Sequence, residues 1–354
     1  MEENKKTTKG KTLTNQEVAA FCRQMAIIIE SGITPVEGLE IMVHDTISDE
    51  GKALLEEISE YCRKGYRFYQ AVEEVGVFPE YVERLILLGE ESGNTDSVLN
   101  SLADYYDRED DISDSIRAAV TYPLIMIGMM IVIIIVLMSK VLPIFREVFD
   151  QLGTQMTPFA EKLMNIGSNL SRYALSITAV VTALVVALVV CYSIPSIKKR
   201  ITRAMAKFPL TKAFYDNVAI GRFASGMYLT FYSGMDTFKG LEMTSELVEN
   251  EEMEKKIQKV TELLEGQSTF PEALAETQIF SNLYSRMIAV GFSSGNVDSV
   301  MIRIAKIYTE RTEKQLRKML SIIEPTLVII LSLIVGIILL SVLLPLMGIM
   351  SSIG

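Results

Sequence analysis

Two short segments hold most of the residues whose types and spacing could do chemistry. Gly89-Glu-Glu-Ser-Gly-Asn-Thr-Asp96 gathers Glu90, Ser92, Gly93, Asn94 and Asp96 within eight positions, and Gly291-Phe-Ser-Ser-Gly-Asn-Val-Asp298 repeats Ser294, Gly295, Asn296 and Asp298 at the same spacing. Carboxylate, amide and hydroxyl oxygens so close together could bind a cation or a polar ligand. The copies differ in a way that points elsewhere: Glu90 and Glu91 become Phe292 and Ser293, while the Gly, Ser, Gly, Asn and Asp positions survive. That subset suits a turn in which glycine ends one helix in a left-handed conformation and Asn or Asp caps the next. We read a structural turn or partner contact here, with a ligand or metal site as the alternative.

Other chemical signals are weak. Gly10-Lys11-Thr12 ends like a phosphate-binding loop, but Lys5 stands where the first glycine is required and no apolar strand precedes it. His44 is the only histidine and has no Ser or Cys arranged beside it as a nucleophile. Cys22, Cys62 and Cys191 are widely scattered, so neither a disulfide framework nor a zinc site is expected. The chain is expected not to be an enzyme and to need no catalytic residue, metal or cofactor. A net charge of −10 argues against nucleic acid.

The elements that position these residues follow from hydropathy and repetition. No charge occurs between Arg117 and Lys140, between Arg172 and Lys198, or from Pro325 to Gly354. Each stretch exceeds the roughly 20 residues a helix needs to cross the hydrocarbon core. Membrane helices are therefore expected at 118–142, 173–197 and 325–348. Lys198, Lys199, Arg200, Arg203 and Lys207 follow the second, and Arg311, Lys314, Arg317 and Lys318 precede the third. Basic residues mark the cytoplasmic side, which puts 14–117 and 198–324 in the cytoplasm and 143–172 and 349–354 outside. Residues 1–13 read as a disordered, lysine-bearing tail and not as a signal peptide.

Shifted by 202 residues, the chain aligns with itself without a gap over most of each half. Phe21, Met25, Ser31, Gly32, Gly38, Leu39 and Glu40 fall on Phe223, Met227, Ser233, Gly234, Gly240, Leu241 and Glu242. Pro123 falls on Pro325, and Tyr122 on Glu324, where each half enters the membrane. Thr14 with Glu17, and Thr34 with Glu37, have capping-box spacing, and Phe21, Met25, Ile28 and Ile29 share one helix face. The predicted fold is all-α: two repeated cytoplasmic helical bundles plus three membrane helices, the second span being an added connector.

The spans carry no ionisable residue at depth, which disfavours a transporter or permease subunit, the alternative function considered. The halves also differ in charge: residues 1–117 hold 12 basic and 25 acidic residues, and 198–324 hold 18 and 16. Asp104 aligns with Lys306 and Glu109 with Arg311, and Asp104, Asp107, Asp111 and Asp114 share a helical face. Attraction between these two helices, within a chain or across a homo-oligomer, is expected, with solvated faces that drifted independently as the plainer reading.

Phe21-Cys-Arg-Gln-Met25, Ser31-Gly32, Gly38-Leu39, Gly89-Glu-Glu-Ser-Gly93, Thr121-Tyr-Pro123 and Glu324-Pro325, in this duplicated order, resemble the type II secretion system F family, also called the type IV pilus inner-membrane platform family. The resemblance covers roughly residues 14 to 348. Many relatives carry a further N-terminal segment, whose place here is taken by the short lysine-rich tail. The resemblance implies a non-enzymatic scaffold in the inner-membrane bilayer whose cytoplasmic domains meet a hexameric assembly ATPase. Its spans would meet pilins or pseudopilins beside other inner-membrane assembly proteins.

Overall fold

The computed structural model describes residues 12–141 and 211–353, with single positions at 143, 144, 147, 151 and 208. The tail before residue 12, the expected second span at 173–197 and nearly all of the loop at 143–172 lie outside the described residues. The described secondary structure is helical throughout. In the first half α1 spans Asn15–Glu30, α2 Pro35–Asp45, α3 Asp49–Arg63, α4 Phe68–Val75, α5 Glu80–Ser92 and α6 Thr95–Val136, which ends in a π-helical turn at Leu137–Val141. In the second half α7 spans Lys212–Tyr232, α8 Thr237–Leu247, α9 Glu251–Glu265, α10 Phe270–Thr277, α11 Asn282–Ser293 and α12 Val297–Ile353. Subtracting 202 from the second set returns the bounds of α2, α3 and α4 and the first residue of α5 and α6.

Local chemistry sets these boundaries. Thr14 and Glu17 form the expected reciprocal box at the start of α1. At α2 only half of the expected box forms: the Thr34 hydroxyl accepts from the Glu37 backbone N–H, with Pro35 at the first helical position. Gly32 and Gly234 end α1 and α7 at φ +79° and +73°, which a side chain would strain.

The described residues fall into two compact units, one within 1–114 and 203–313 and one within 115–202 and 314–354. The first unit holds both bundles. Met25, Leu39, Leu85, Ile86, Leu99 and Leu102 are fully buried in the first bundle, as are Phe223, Met227, Leu241, Ile288, Met301 and Ile304 in the second. The second unit holds the apolar lengths of α6 and α12. Both helices are long and apolar enough to cross a membrane, and almost none of their most apolar window is buried. Ile125, Met129, Val132, Val328, Ile329 and Leu333 are exposed along them, as lipid-facing side chains would be. Both are continuous through the positions where the sequence places the start of a span, and Pro123 and Pro325 sit inside helices and not at their first turns.

Glu83 on α5 makes the first bundle sensitive to pH. Burial, with Glu73 and Glu80 close by, pushes its carboxyl up to about 7. The folded state thus binds a proton more tightly than the unfolded chain does. The stability this confers is present below the usual carboxylate pKa and is lost as pH rises through about 7. Glu83→Gln is expected to stabilise the detergent-solubilised chain by about 1 kcal/mol at pH 8, a figure discounted for partial exposure, and to leave it unchanged at pH 4. Thermal unfolding at the two pH values checks this; an equal gain at both would remove the carboxyl as its cause.

Candidate functional site: the turns and the seam between the bundles

The two serine-glycine segments are turns built the same way in each copy. Gly93 and Gly295 take φ +73° and +74°, and the N–H of Asn94 and Asn296 reach back to the carbonyl oxygens of Gly89 and Gly291 at 2.9 and 2.8 Å. This bond satisfies a carbonyl that the end of a helix would otherwise leave unpaired. The Ser92 and Ser294 hydroxyls donate to the same Gly89 and Gly291 oxygens at 3.3 and 3.2 Å. Gly89 and Gly291 serve closeness and not left-handed backbone: a β-carbon on Gly89 would lie 3.0 Å from the Thr95 α-carbon, and one on Gly291 would lie 2.7 Å from the Val300 side chain. Asp96 and Asp298 lie in the first turns of α6 and α12, where a carboxylate meets the positive end of the helix. The Asn296 amide donates back to the Ser294 carbonyl oxygen at 3.3 Å, a further bond within the turn.

Glu90 has a separate task. Its carboxylate accepts from the backbone N–H groups of Phe68 and Tyr69 at 3.2 and 3.4 Å, with the Arg67 guanidinium 3.7 Å away. It thereby caps α4 from a neighbouring helix. Both copies also make a local bond at the helix start, the Arg67 N–H donating to Gln70 at 2.9 Å and the Thr269 N–H to Glu272 at 2.8 Å, but in the second copy Phe292 packs on Phe270 where Glu90 would be. The exchange of Glu90 for Phe292 thus replaces an added capping carboxylate by an aromatic contact. Glu90→Ala is expected to destabilise α4 by about 1 to 2 kcal/mol, a cap and a helix-end charge together. Hydrogen exchange should then quicken in α4 while α10 keeps its protection.

The charged residues meet partners the sequence did not indicate. Arg23 on α1 reaches Asp104 at 2.6 Å and Asp107 at 2.8 Å, so part of the acidic face of α6 is answered inside the first bundle. Glu109 is held by Arg222 on α7, which donates from Nε at 3.1 and 3.0 Å and from Nη2 at 2.7 Å. Arg311 lies over the rings of Tyr284 and Tyr308, 5.4 and 5.0 Å from their centres, and Lys306 stands exposed. The expected pairing of Asp104 and Glu109 with Lys306 and Arg311 is therefore not the arrangement within the chain. The nearer cations win because each lies on a helix already packed against α6.

Arg222 belongs to the seam between the bundles. Tyr81 donates to the Gly226 carbonyl oxygen at 3.3 Å, Ser101 and Tyr228 hydroxyls lie 3.2 Å apart, and Leu229, Met235 and Met243 of the second bundle are buried in one cluster with the first bundle's core. Burial is the largest single effect on Arg222 and works against its charge, yet Glu109, Tyr105 and Glu249 together outweigh it and hold the guanidinium above its ordinary range. Ala20 occupies the Arg222 position in the first copy, and that unmatched cation is the sequence signal that could have located the seam.

In the second unit the Tyr122 hydroxyl donates to Glu324 at 3.2 Å. The two are the same position of the repeat, so the duplicated spans meet at equivalent points. Among the described residues no group of three or more His, Cys, Asp or Glu comes together that could hold a metal ion. The arrangement is one of caps, tight turns and a domain seam.

Comparison with known proteins agrees with the duplicated order. The chain is 26% identical over 339 residues to a type IV pilus assembly protein PilC of Myxococcus xanthus, covering 96% of this chain and 81% of that one. It is 24% identical over 362 residues to a type II secretion system protein F of Aeromonas hydrophila, covering 98% and 92%. The profile of the family described as type II secretion system (T2SS), protein F matches residues 21–143 and again 223–345. Two matches in the register of the repeat, over more than half of the sequence, mean that the chain belongs to the type II secretion system protein F family.

Proposed function

We propose that this chain is a non-enzymatic platform in the cell's inner membrane for a type II secretion or type IV pilus assembly machine. Its N-terminus and both bundles face the cytoplasm, where they receive a hexameric assembly ATPase. The membrane helices meet pilin or pseudopilin subunits and guide their extraction from the bilayer. One observation carries the reading: a duplicated bundle, each copy continuing into a long apolar helix, in a chain of the protein F family. Because the last helix of each bundle continues without a break into an apolar length, a displacement of the bundle would pass along one continuous element. Hydrolysis is left to the partner.

Affinity purification of the solubilised chain, with bound proteins identified by mass spectrometry, tests the assignment. An assembly ATPase and prepilin-like subunits should co-purify, and cells lacking the gene should lose secretion or filaments until it is restored. ATP hydrolysis by the purified chain alone, solute movement in vesicles, or labelling of either bundle from outside the cell would each overturn it.

A further inference from the structure

The seam joins two different faces of the same repeated unit. The first bundle contributes α5 and α6, through Tyr81, Ser101 and Glu109; the second contributes α7 and α8, through Arg222, Gly226, Tyr228, Leu229 and Met243. Joining unlike faces of like bodies leaves one face of each kind unused. On the first bundle the unused face holds Ile27, Ile33 and Ile41, the counterparts of Leu229, Met235 and Met243. Leu229 is 1% exposed and Met243 3%, whereas Ile27 is 57% exposed and Ile41 42%. On the second bundle the unused face holds Leu283, the counterpart of Tyr81: Tyr81 is 6% exposed and Leu283 65%. Val290, seven residues on and on the same side of α11, is also exposed. Apolar character is thus kept in both copies at positions that only one copy covers.

We propose that a second copy of this chain covers them, its second bundle docking through α11 and α12 onto the α1 and α2 face of the first bundle and repeating the seam between molecules. The seam already present is the template for the fit. Charge favours this pairing over like with like, because the first half is strongly acidic, with 25 acidic against 12 basic residues over 1–117, and the second slightly basic, with 16 against 18 over 198–324. The polar lock is not repeated: Glu109 becomes Arg311 and Arg222 becomes Ala20, so the contact between molecules relies on apolar burial. Unlike-face contacts close into rings when the rotation between bodies allows. The inference stands on the duplication and not on the platform role.

The test uses full-length chain in membranes. Tyr81 and Gly226 touch across the existing seam, and their counterparts are Leu283 and Gln24. Chains carrying Gln24→Cys with one tag and Leu283→Cys with another are co-expressed and treated with a short bismaleimide. A product bearing both tags is expected. Lys64→Cys replaces Gln24→Cys as control, since Lys64 and its counterpart Gly266 are both exposed. Ile27→Glu with Ile41→Glu in the Gln24→Cys chain should cut the product about tenfold, because each would bury a charge, while helical content stays unchanged. No two-tag product, equal product from Lys64→Cys, or capture of Gln24→Cys only on a different protein would overturn the proposal. Failure here leaves co-purification of the ATPase and pilins untouched, and the reverse holds too.

Discussion

Arg222→Ala is expected to destabilise the bundle pair by about 3 to 5 kcal/mol, the cost of leaving a buried charge without its partner. The Glu109 side chain is only 11% exposed and that of Arg222 21%, so water cannot replace the lost guanidinium. Glu249 at 3.7 Å and the Leu247 carbonyl oxygen at 3.5 Å lose the same donor group. Glu109→Ala should cost a similar amount. The two losses should not add, because the double variant leaves neither charge stranded. Replacing both with apolar residues of like volume, Arg222→Met with Glu109→Leu, should recover most of the stability. Denaturant unfolding of the solubilised chain, run as a double-mutant cycle, measures each corner. Salt offers a second check, since a pair this enclosed should persist in 1 M salt, where the Debye length is about 3 Å and exposed pairs are screened. Single losses of about 1 kcal/mol or less would place the pair with ordinary surface ion pairs and remove it as the lock of the seam.

The legible part of the structure was whatever depends on neighbours in sequence. The repeat register could be read because Ser-Gly, Gly-Leu and Ser-Gly-Asn sit at turns and close contacts that both copies must make. Thr14 and Glu17 marked the start of α1 because a capping box lies within one turn. Length and lack of charge identified the apolar parts of α6 and α12. Periodicity, however, says which face of a helix is apolar and not which body covers it. Ile27 and Leu229 look alike in sequence, yet one is exposed and the other buried. The partner of Glu109 was missed for the same reason: aligning the copies suggested its counterpart Arg311, but the seam joins unlike faces and so brings up Arg222 instead. Comparing copies would have helped most where they disagree. Arg222 against Ala20, and Glu90 against Phe292, each mark a place where one copy has a task the other lacks.

Gly240→Ala is the second substitution expected to act strongly, and its effect rests on shape alone. Gly226 and Thr230 on α7 face Gly240 and Thr244 on α8, each glycine lying beneath the other helix's threonine. A β-carbon on Gly240 would lie 2.5 Å from Thr230 Oγ1 and 2.8 Å from its Cβ, with Cγ2 nearer still. Thr230 cannot swing away: it is 1% exposed, its hydroxyl donates to the Gly226 carbonyl oxygen at 3.0 Å, and its branched side chain has no far end to bend. The helices must separate instead, loosening packing around fully buried Leu241 and Met227. Overpacking of this kind costs about 3 kcal/mol, against a helix-propensity gain of about 1 from replacing glycine. The net loss expected is about 2 kcal/mol. Thr230→Ala in the same chain removes the two nearest atoms but not the β-carbon, so it should restore part of the loss. The equivalent Gly38→Ala meets the branched carbons of Ile28, which is only partly buried and can yield, so its cost should be smaller. Unfolding midpoints should therefore rank wild type first, then Gly38→Ala, then Gly240→Ala with Thr230→Ala, then Gly240→Ala alone. A Gly240→Ala chain as stable as wild type would mean that α7 and α8 do not approach through their glycines.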